Sequence, residues 1–377
     1  MQIIQKFSGA LVGVLLLAGC TADRGPVPAD PLATRETVNL YQNLLALQKE
    51  GLMFGHQDDL VYGVGWVYEV GRSDVKEVCG DYPAVYGWEL GHLELGEPYS
   101  LDSVHFDTIR SKIQEVYRRG GVNTVSWHLR NPLTGGSAWD VSSAEAVKSV
   151  LPGGGKHDLY LGYLDKLAGF LLSLKSGDGT FIPVIFRPYH EHTGSWFWWG
   201  QKLCNTDEFI ALWRFTFDYL CNEKNIHNLL FAYSSGGDIE NTEQYLERYP
   251  GNDYVDLMGF DYYQMPDAGN SSFTENVSRV LEIVTEAASG QGKLAALTEA
   301  GYEGIPDSAW WTTALWPAIK DHRISYALVW RNAHNRPGHF YAPHPDHVSA
   351  ADFISFRNLP ETLFQKDITA LDIYNRE

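Results

Sequence analysis

Basic residues are few and never clustered: 29 Lys and Arg stand against 47 Asp and Glu, a formal net charge of −18. Nucleic acid and anionic lipid both require the opposite balance, so neither is expected as a partner. Cysteine is nearly absent, four in 377 residues without a C-x-x-C pair, which speaks against a structural zinc site. No G-x-G-x-x-G follows an early strand-like segment, and Gly153-Gly154-Gly155 lies in a connection, so nothing points to a dinucleotide or other cofactor. Past the N-terminal segment, no apolar run approaches the ~20 residues of a transmembrane helix. What the chain does have is 44% hydrophobic and 13% aromatic residues, with 12 Trp. That is ample for one large packed domain, and Trp and Tyr in this number suit stacking on sugar rings, although most aromatics in any protein are core.

Residues 1–19 read as an export signal, with Lys6 as the positive region and residues 10–18 as an apolar stretch too short to span a bilayer. Leu17-Ala18-Gly19-Cys20 resembles the bacterial lipobox, which makes Cys20 the expected lipidation site. Residues 20–33, rich in Pro and Ala, would form a tether, and residues 34–377 the folded domain. The expected place is the cell envelope; Thr21-Ala22-Asp23-Arg24 carries no strong acidic run of the kind associated with surface display, which leans towards the periplasm. Cys79, Cys204 and Cys221 read as small apolar fillers. Cys204 and Cys221 flank a predicted helix that would hold them roughly 20 Å apart, too far for a disulfide.

Short β-rich runs alternate with longer amphipathic stretches. Candidate strands cover residues 52–56, 84–88, 122–128, 182–189, 229–233, 256–261, 294–298 and 324–330. Between them, Ile109, Ile113, Val116 and Tyr117 keep helical spacing, as do Val277, Val280, Leu281 and Val284. Eight strands alternating with helices predict a single (β/α)₈ TIM barrel, with an open doubly wound sheet as the competing arrangement. A barrel places functional residues at the C-terminal strand ends. Here those ends are polar or aromatic nearly throughout: His56, Trp88-Glu89, Trp127-His128, Tyr189-His190-Glu191-His192, Ser234-Ser235, Asp261-Tyr262-Tyr263, Glu299 and Trp330-Arg331-Asn332. Glu191 and Glu299 terminate the fourth and seventh runs, and two carboxylates at one barrel mouth suit glycoside hydrolysis.

Arg187-Pro188-Tyr189-His190-Glu191, Trp196, Asp261-Tyr262-Tyr263, Leu297-Thr298-Glu299 and Trp330 together resemble glycoside hydrolase family 26, dominated by β-mannanases. The resemblance runs from Phe54-Gly55-His56-Gln57 to Trp330. It implies a retaining enzyme with Glu191 as general acid/base and Glu299 as nucleophile. Tyr263 would hydrogen-bond the nucleophile, with Tyr262 as the alternative. Arg187, on the face of Glu191 by strand alternation, would meet the nucleophile's carboxylate or form a purely structural ion pair. His190 and His128 would contact hydroxyls of the −1 sugar, Trp330 would floor that sugar, and Trp196 would offer the +1 platform. His56 and Trp88, ending the first two strands, complete the expected substrate-binding set, while Trp198 and Trp199 read equally as packing or subsites.

The implied substrate is β-1,4-mannan, glucomannan, galactomannan or derived oligosaccharides, attacked internally or from chain ends by a monomer. Mixed-linkage β-glucan and β-1,3-xylan are the alternatives within the family. Two different classes compete with this reading. His190-Glu191-His192 suggests a metal-dependent hydrolase, though H-E-x-x-H spacing is absent. A glycan-binding lipoprotein without activity is the other. The connections 90–103 and 132–157 are long enough to shape a cleft.

Overall fold

Eight parallel strands close into a barrel. In chain order they are β1 (Leu52–Gln57), β2 (Val85–Glu89), β3 (Val122–Ser126), β4 (Val184–Arg187), β5 (Leu229–Gly236), β6 (Leu257–Gln264), β7 (Leu294–Tyr302) and β8 (Tyr326–Val329). Each pairs with its sequence neighbour, and β8 returns to β1 at Met53–Tyr326 through His56–Val329. The computed structural model describes residues 26–375. Its barrel confirms the expected fold and excludes the open sheet, because closure leaves no free edge between β1 and β8. No helix among the described residues is long and apolar enough to cross a membrane.

Alternation decides which side chains reach the barrel axis. Met53, Val85, Val122, Ile185, Leu230, Leu257, Leu294 and Tyr326 form one buried interior cluster. Helix α1 (Arg35–Leu47) adds Leu40, Tyr41, Leu44 and Leu47 to it and so closes the N-terminal end of the barrel. Burying each such leucine contributes about 2 kcal/mol. Outward residues Phe54, Tyr86, Val125, Phe186, Phe231, Phe260 and Leu297 join the second cluster, against the surrounding helices. Among these are α2 (Phe106–Arg118), α3 (His157–Leu172), α4 (Thr206–Asp218) and α5 (Asn270–Gln291). Of the predicted periodic residues, Ile109, Ile113 and Val116 on α2 and Val277, Val280, Leu281 and Val284 on α5 are buried, while Tyr117 is half-buried. A capping box between Asn205 and Glu208 starts α4 where the catalytic-face loop must end.

Two expectations need correction. The tether assigned to residues 20–33 is docked over its second half: Ala29 N donates to Asp256 Oδ1 at 2.6 Å, and Asp30 pairs with His227 at 2.8 Å. Pro28 and Asp30 are buried, so the folded unit begins before residue 34. The runs 122–128, 182–189 and 324–330 are shorter as strands than expected: each stops short of its tip at the mouth, and the last two also begin two residues late. Cys20 and residues 1–19 lie outside the described residues. Cys79, Cys204 and Cys221 are unpaired as thiols, Cys204 and Cys221 being buried.

Candidate active site

Strand β4 ends at Arg187, and the chain then turns sharply. Tyr189 and Glu191 both adopt left-handed backbone, φ 49° and 53°, a conformation that costs a non-glycine residue on the order of 1 kcal/mol or more. The strain breaks strict alternation: Tyr189 points outward, where its hydroxyl and those of Tyr160 and Thr216 form a buried triangle. His190 and Glu191 can then both face the mouth, which alternation alone would have forbidden. Glu191 N donates to Ser234 O at 2.9 Å, tying the turn to β5. Trp196 Nε1 donates to Glu191 Oε2 at 2.5 Å, and the indole lies so close over Gly194 that a Cβ there would collide with the ring.

Glu299 reaches the same space by a different device. Leu294, Ala296 and Thr298 take the inward positions of β7, so regular alternation would turn Glu299 outward. A β-bulge intervenes: Phe260 pairs with Leu297 but Asp261 with Glu299, and on the other side Ala327 pairs with Leu297 but Val329 with Ala300. Thr298 is the extra residue, its hydroxyl bonded to Asp261 and Phe260 O. Glu299 is thereby aimed into the mouth, where Tyr263 OH donates to Oε1 and Arg187 Nη2 to Oε2, both at 2.5 Å. Arg187 Nη1 meets Asp261 Oδ2 at 2.5 Å. One buried guanidinium thus orients two carboxylates, with both oxygens of Glu299 committed in direction.

The electrostatics separate the two glutamates. Burial, then the neighbouring charge of Glu299, pushes the Glu191 carboxyl up to about 7. Burial opposes charge on Arg187, but Asp261 and Glu299 outweigh it and hold the guanidinium firmly charged. The site therefore contains one carboxyl able to donate a proton near neutral pH, and a second, Glu299, oriented by two donors.

The profile of Glycosyl hydrolase family 26 matches residues 29–341. The chain belongs to that family. Among solved structures, a family 26 β-mannanase from Bacteroides ovatus superposes with a TM-score of 0.88 at 49% identity, covering 91% of this chain and 98% of that one. A mannan endo-1,4-beta-mannosidase of Bifidobacterium adolescentis is 37% identical over 73% of this chain, which spans only 28% of that relative's length. One of the same name from Bacillus subtilis is 27% identical over 73% of this chain and 78% of its own.

Within this family 26 site, His128 and His190 stand together, Nε2 to Nε2 at 3.1 Å. Glu89 Oε2 lies 2.7 Å from His128 Nδ1, and Glu89 Oε1 accepts His128 N at 2.9 Å. Burial works against charge on His128, but Glu89 outweighs it and raises the imidazole, while burial and Arg187 press His190 well below its ordinary value. The two imidazoles are thus pushed in opposite directions, His128 towards and His190 away from the charged form. Trp330 lies edge-on to His128, ring centroids 6.3 Å apart. Trp196 is 42% exposed, as a sugar platform requires.

Two expected contacts are not at the mouth. Trp88 points outward from β2, fully buried, with Nε1 donating to Asn123 Oδ1 at 2.9 Å. Its neighbour Glu89 holds the inward position and serves the site instead. His56 likewise faces outward and is buried against Asp59, Nδ1 to Oδ1 2.8 Å. Trp198 and Trp199 resolve as packing, both fully buried, and Tyr262 lies over Gly237 rather than in the mouth. Residues that sequence reasoning passed over include Trp139, 46% exposed and stacked on His128 at 5.1 Å, and the ion pair Asp102–Arg331 at 3.0 Å. A tryptophan inside a Gly/Ser loop is the available signal for the first; for the second, Arg331 stands at a strand end, but nothing local pairs it with Asp102.

His190, Asp261 and Glu299 bring possible ligand atoms within 4.8 Å of one another. Arg187 already supplies the cation there, bonded to both carboxylates. His192, the other histidine of the metal reading, is buried between Phe209 and Tyr233, away from the mouth.

Proposed function

We propose that this chain is a retaining glycoside hydrolase acting on β-1,4-mannan and its oligosaccharides. The observation that carries it is the asymmetry of the two glutamates: Glu191 holds its proton to about pH 7 beside Trp196, while Glu299 is oriented by Tyr263 and Arg187. In the first step a Glu299 oxygen forms a bond to the anomeric carbon as the glycosidic C–O bond breaks, and the Glu191 proton passes to the departing oxygen. Glycosylation removes the charge of Glu299, one of the two causes that keep Glu191 protonated, so Glu191 becomes a base. It then takes a proton from water, whose oxygen replaces Glu299 at the anomeric carbon with net retention.

Support for mannan comes from the relatives, mannan endo-1,4-beta-mannosidases and a family 26 β-mannanase. The cleft adds detail. Next to the site lies a hollow of about 300 Å³ lined by His128 and Trp330 together with Leu101, Asp102, Trp139 and Arg331. Both connections expected to shape the cleft contribute to it. A hollow walled by these two loops supports release of short products. A product profile on mannan, mixed-linkage β-glucan and β-1,3-xylan tests the reading: short manno-oligosaccharides with retained β configuration are expected. Preferential glucan or xylan cleavage would reassign the substrate, and binding without any released reducing sugar would leave a glycan-binding protein.

The export signal and the Cys20 anchor we carry as a second proposal, resting on residues 1–20 alone. A Cys20→Ala variant should shift from the membrane fraction to the soluble fraction; unchanged partition removes the anchor.

A further inference from the structure

Arg248 lies two residues past the short helix Thr242–Leu246 and is almost fully buried. A buried guanidinium ordinarily has a carboxylate. Among the described residues Arg248 has none within ion-pair distance; its partners lie on the loop that carries the acid/base. Nη1 donates to His192 O at 2.5 Å and to Trp199 O at 3.3 Å, and Nη2 to Cys204 Sγ at 2.8 Å. The guanidinium also stacks over Phe209, 4.1 Å from the ring centroid.

The two carbonyls are seven residues apart in the chain, so a single nitrogen closes the segment from His192 to Trp199 upon itself. Trp196 sits within that span, and Glu191 immediately precedes it. The loop is also held by Gly236 N on Thr193 Oγ1 at 2.9 Å, by Trp198 N on Ala138 O and Trp198 Nε1 on Leu129 O, both at 3.1 Å, and by Gln201 N on Gly194 O at 2.8 Å; Arg248 adds the charged donor. Both ring nitrogens of His192 are buried without a partner, so only its backbone is held. Trp199 Nε1 donates to His190 O at 2.8 Å, which carries the position of Trp199 directly to the residue before Glu191. From Arg248 to the reacting proton there are thus two short mechanical links, one through Trp199 and His190, the other through the loop to Trp196 Nε1 and Glu191 Oε2.

We propose that Arg248 is a positioning residue for the acid/base: its fork sets the 192–204 loop, and through it the placement of Glu191 and the +1 platform Trp196. The role rests on Glu191 as proton donor. Three acceptors at fixed angles need a planar fork, which a lysine ammonium cannot reproduce. Loosening the loop by as little as ~1 Å costs on the order of 10²-fold in a step that depends on proton placement. It also admits water to Glu191, weakening the burial that raises its carboxyl, with Glu299, Arg187 and His128 as the charged groups facing it.

The test compares kcat/KM on mannan with kcat/KM on an aryl β-mannobioside whose leaving group needs little protonation. Arg248→Met should lose about 10²-fold on mannan and under about threefold on the aryl substrate, with the basic limb of the pH profile moving below 7. Arg248→Lys, which keeps the buried cation and stem, should show the same selective loss in smaller degree, and serves if the methionine variant does not fold. Equal losses on both substrates, or unchanged kinetics, in the folded variant would overturn the positioning role. A wild-type enzyme inactive on mannan but active on another β-glycan would instead correct the substrate and leave Arg248 to be judged on that one.

Discussion

A Glu299→Ala protein should fold normally and lose hydrolysis of mannan by about 10⁵-fold, roughly 7 kcal/mol of transition-state stabilisation. Nothing else in the mouth can form the covalent intermediate. Glu191 is held by Trp196, and Asp261 is spent on Arg187, Ser234 and Thr298. The fold should be indifferent. Arg187 keeps Asp261 as counter-ion at 2.5 Å, so no buried charge is stranded, and a well-paired remainder is what separates this change from breaking a buried pair outright. The melting temperature should stay within about 3 °C of wild type, equivalent to roughly 2 kcal/mol. Activity on mannan within tenfold of wild type would take Glu299 out of the nucleophile role.

Glu191→Ala should produce a different signature. On mannan, whose departing alkoxide needs a proton, kcat/KM should fall by about 10²–10⁴-fold. On aryl glycosides with acidic leaving groups it should stay close to wild type, because that departure needs no donor. The pH profile supplies a second readout, and its sign is determined. The acid works only while protonated, and burial with the charge of Glu299 keeps it so up to about 7. Activity of the wild type on mannan should therefore decline above pH 7, towards tenfold per pH unit, and that limb should vanish in the variant. Equal losses on both kinds of substrate, or a persisting limb near 7, would contradict the assignment.

Why these two residues were legible in the sequence, and their neighbours less so, follows from the geometry. Strand-end position and the flanking motifs identify Glu191, Glu299, Tyr263, Arg187, His128, His190, Trp196 and Trp330, and the structure brings all eight to one mouth. Trp88 and His56 were misjudged through parity: a strand end has an inward and an outward residue one position apart, and Glu89 rather than Trp88 takes the inward place on β2. Arg248 and the pairing of Asp102 with Arg331 carry no local mark, since each acts on a segment distant in the chain.

Periodicity and the order of apolar runs determined eight strands alternating with helices and set the two glutamates at the ends of the fourth and seventh, because these depend on local pattern repeated along the chain; the roles of the pair came from the family resemblance, and closure of the sheet from the β1–β8 pairing. The facing of each side chain was decided only in three dimensions. By alternation Glu299 belongs on the outside of β7, and a one-residue bulge, pinned by Thr298 against β6, turns it inward. By alternation His190 and Glu191 belong on opposite faces, and two left-handed residues bring them to one. Both departures are locally unfavourable and persist only because contacts far away in sequence hold them: Arg187 and Tyr263 on Glu299, and the hydroxyl triangle with Thr216 behind Tyr189. A local pattern can announce a catalytic residue; aiming it took energy from the rest of the fold.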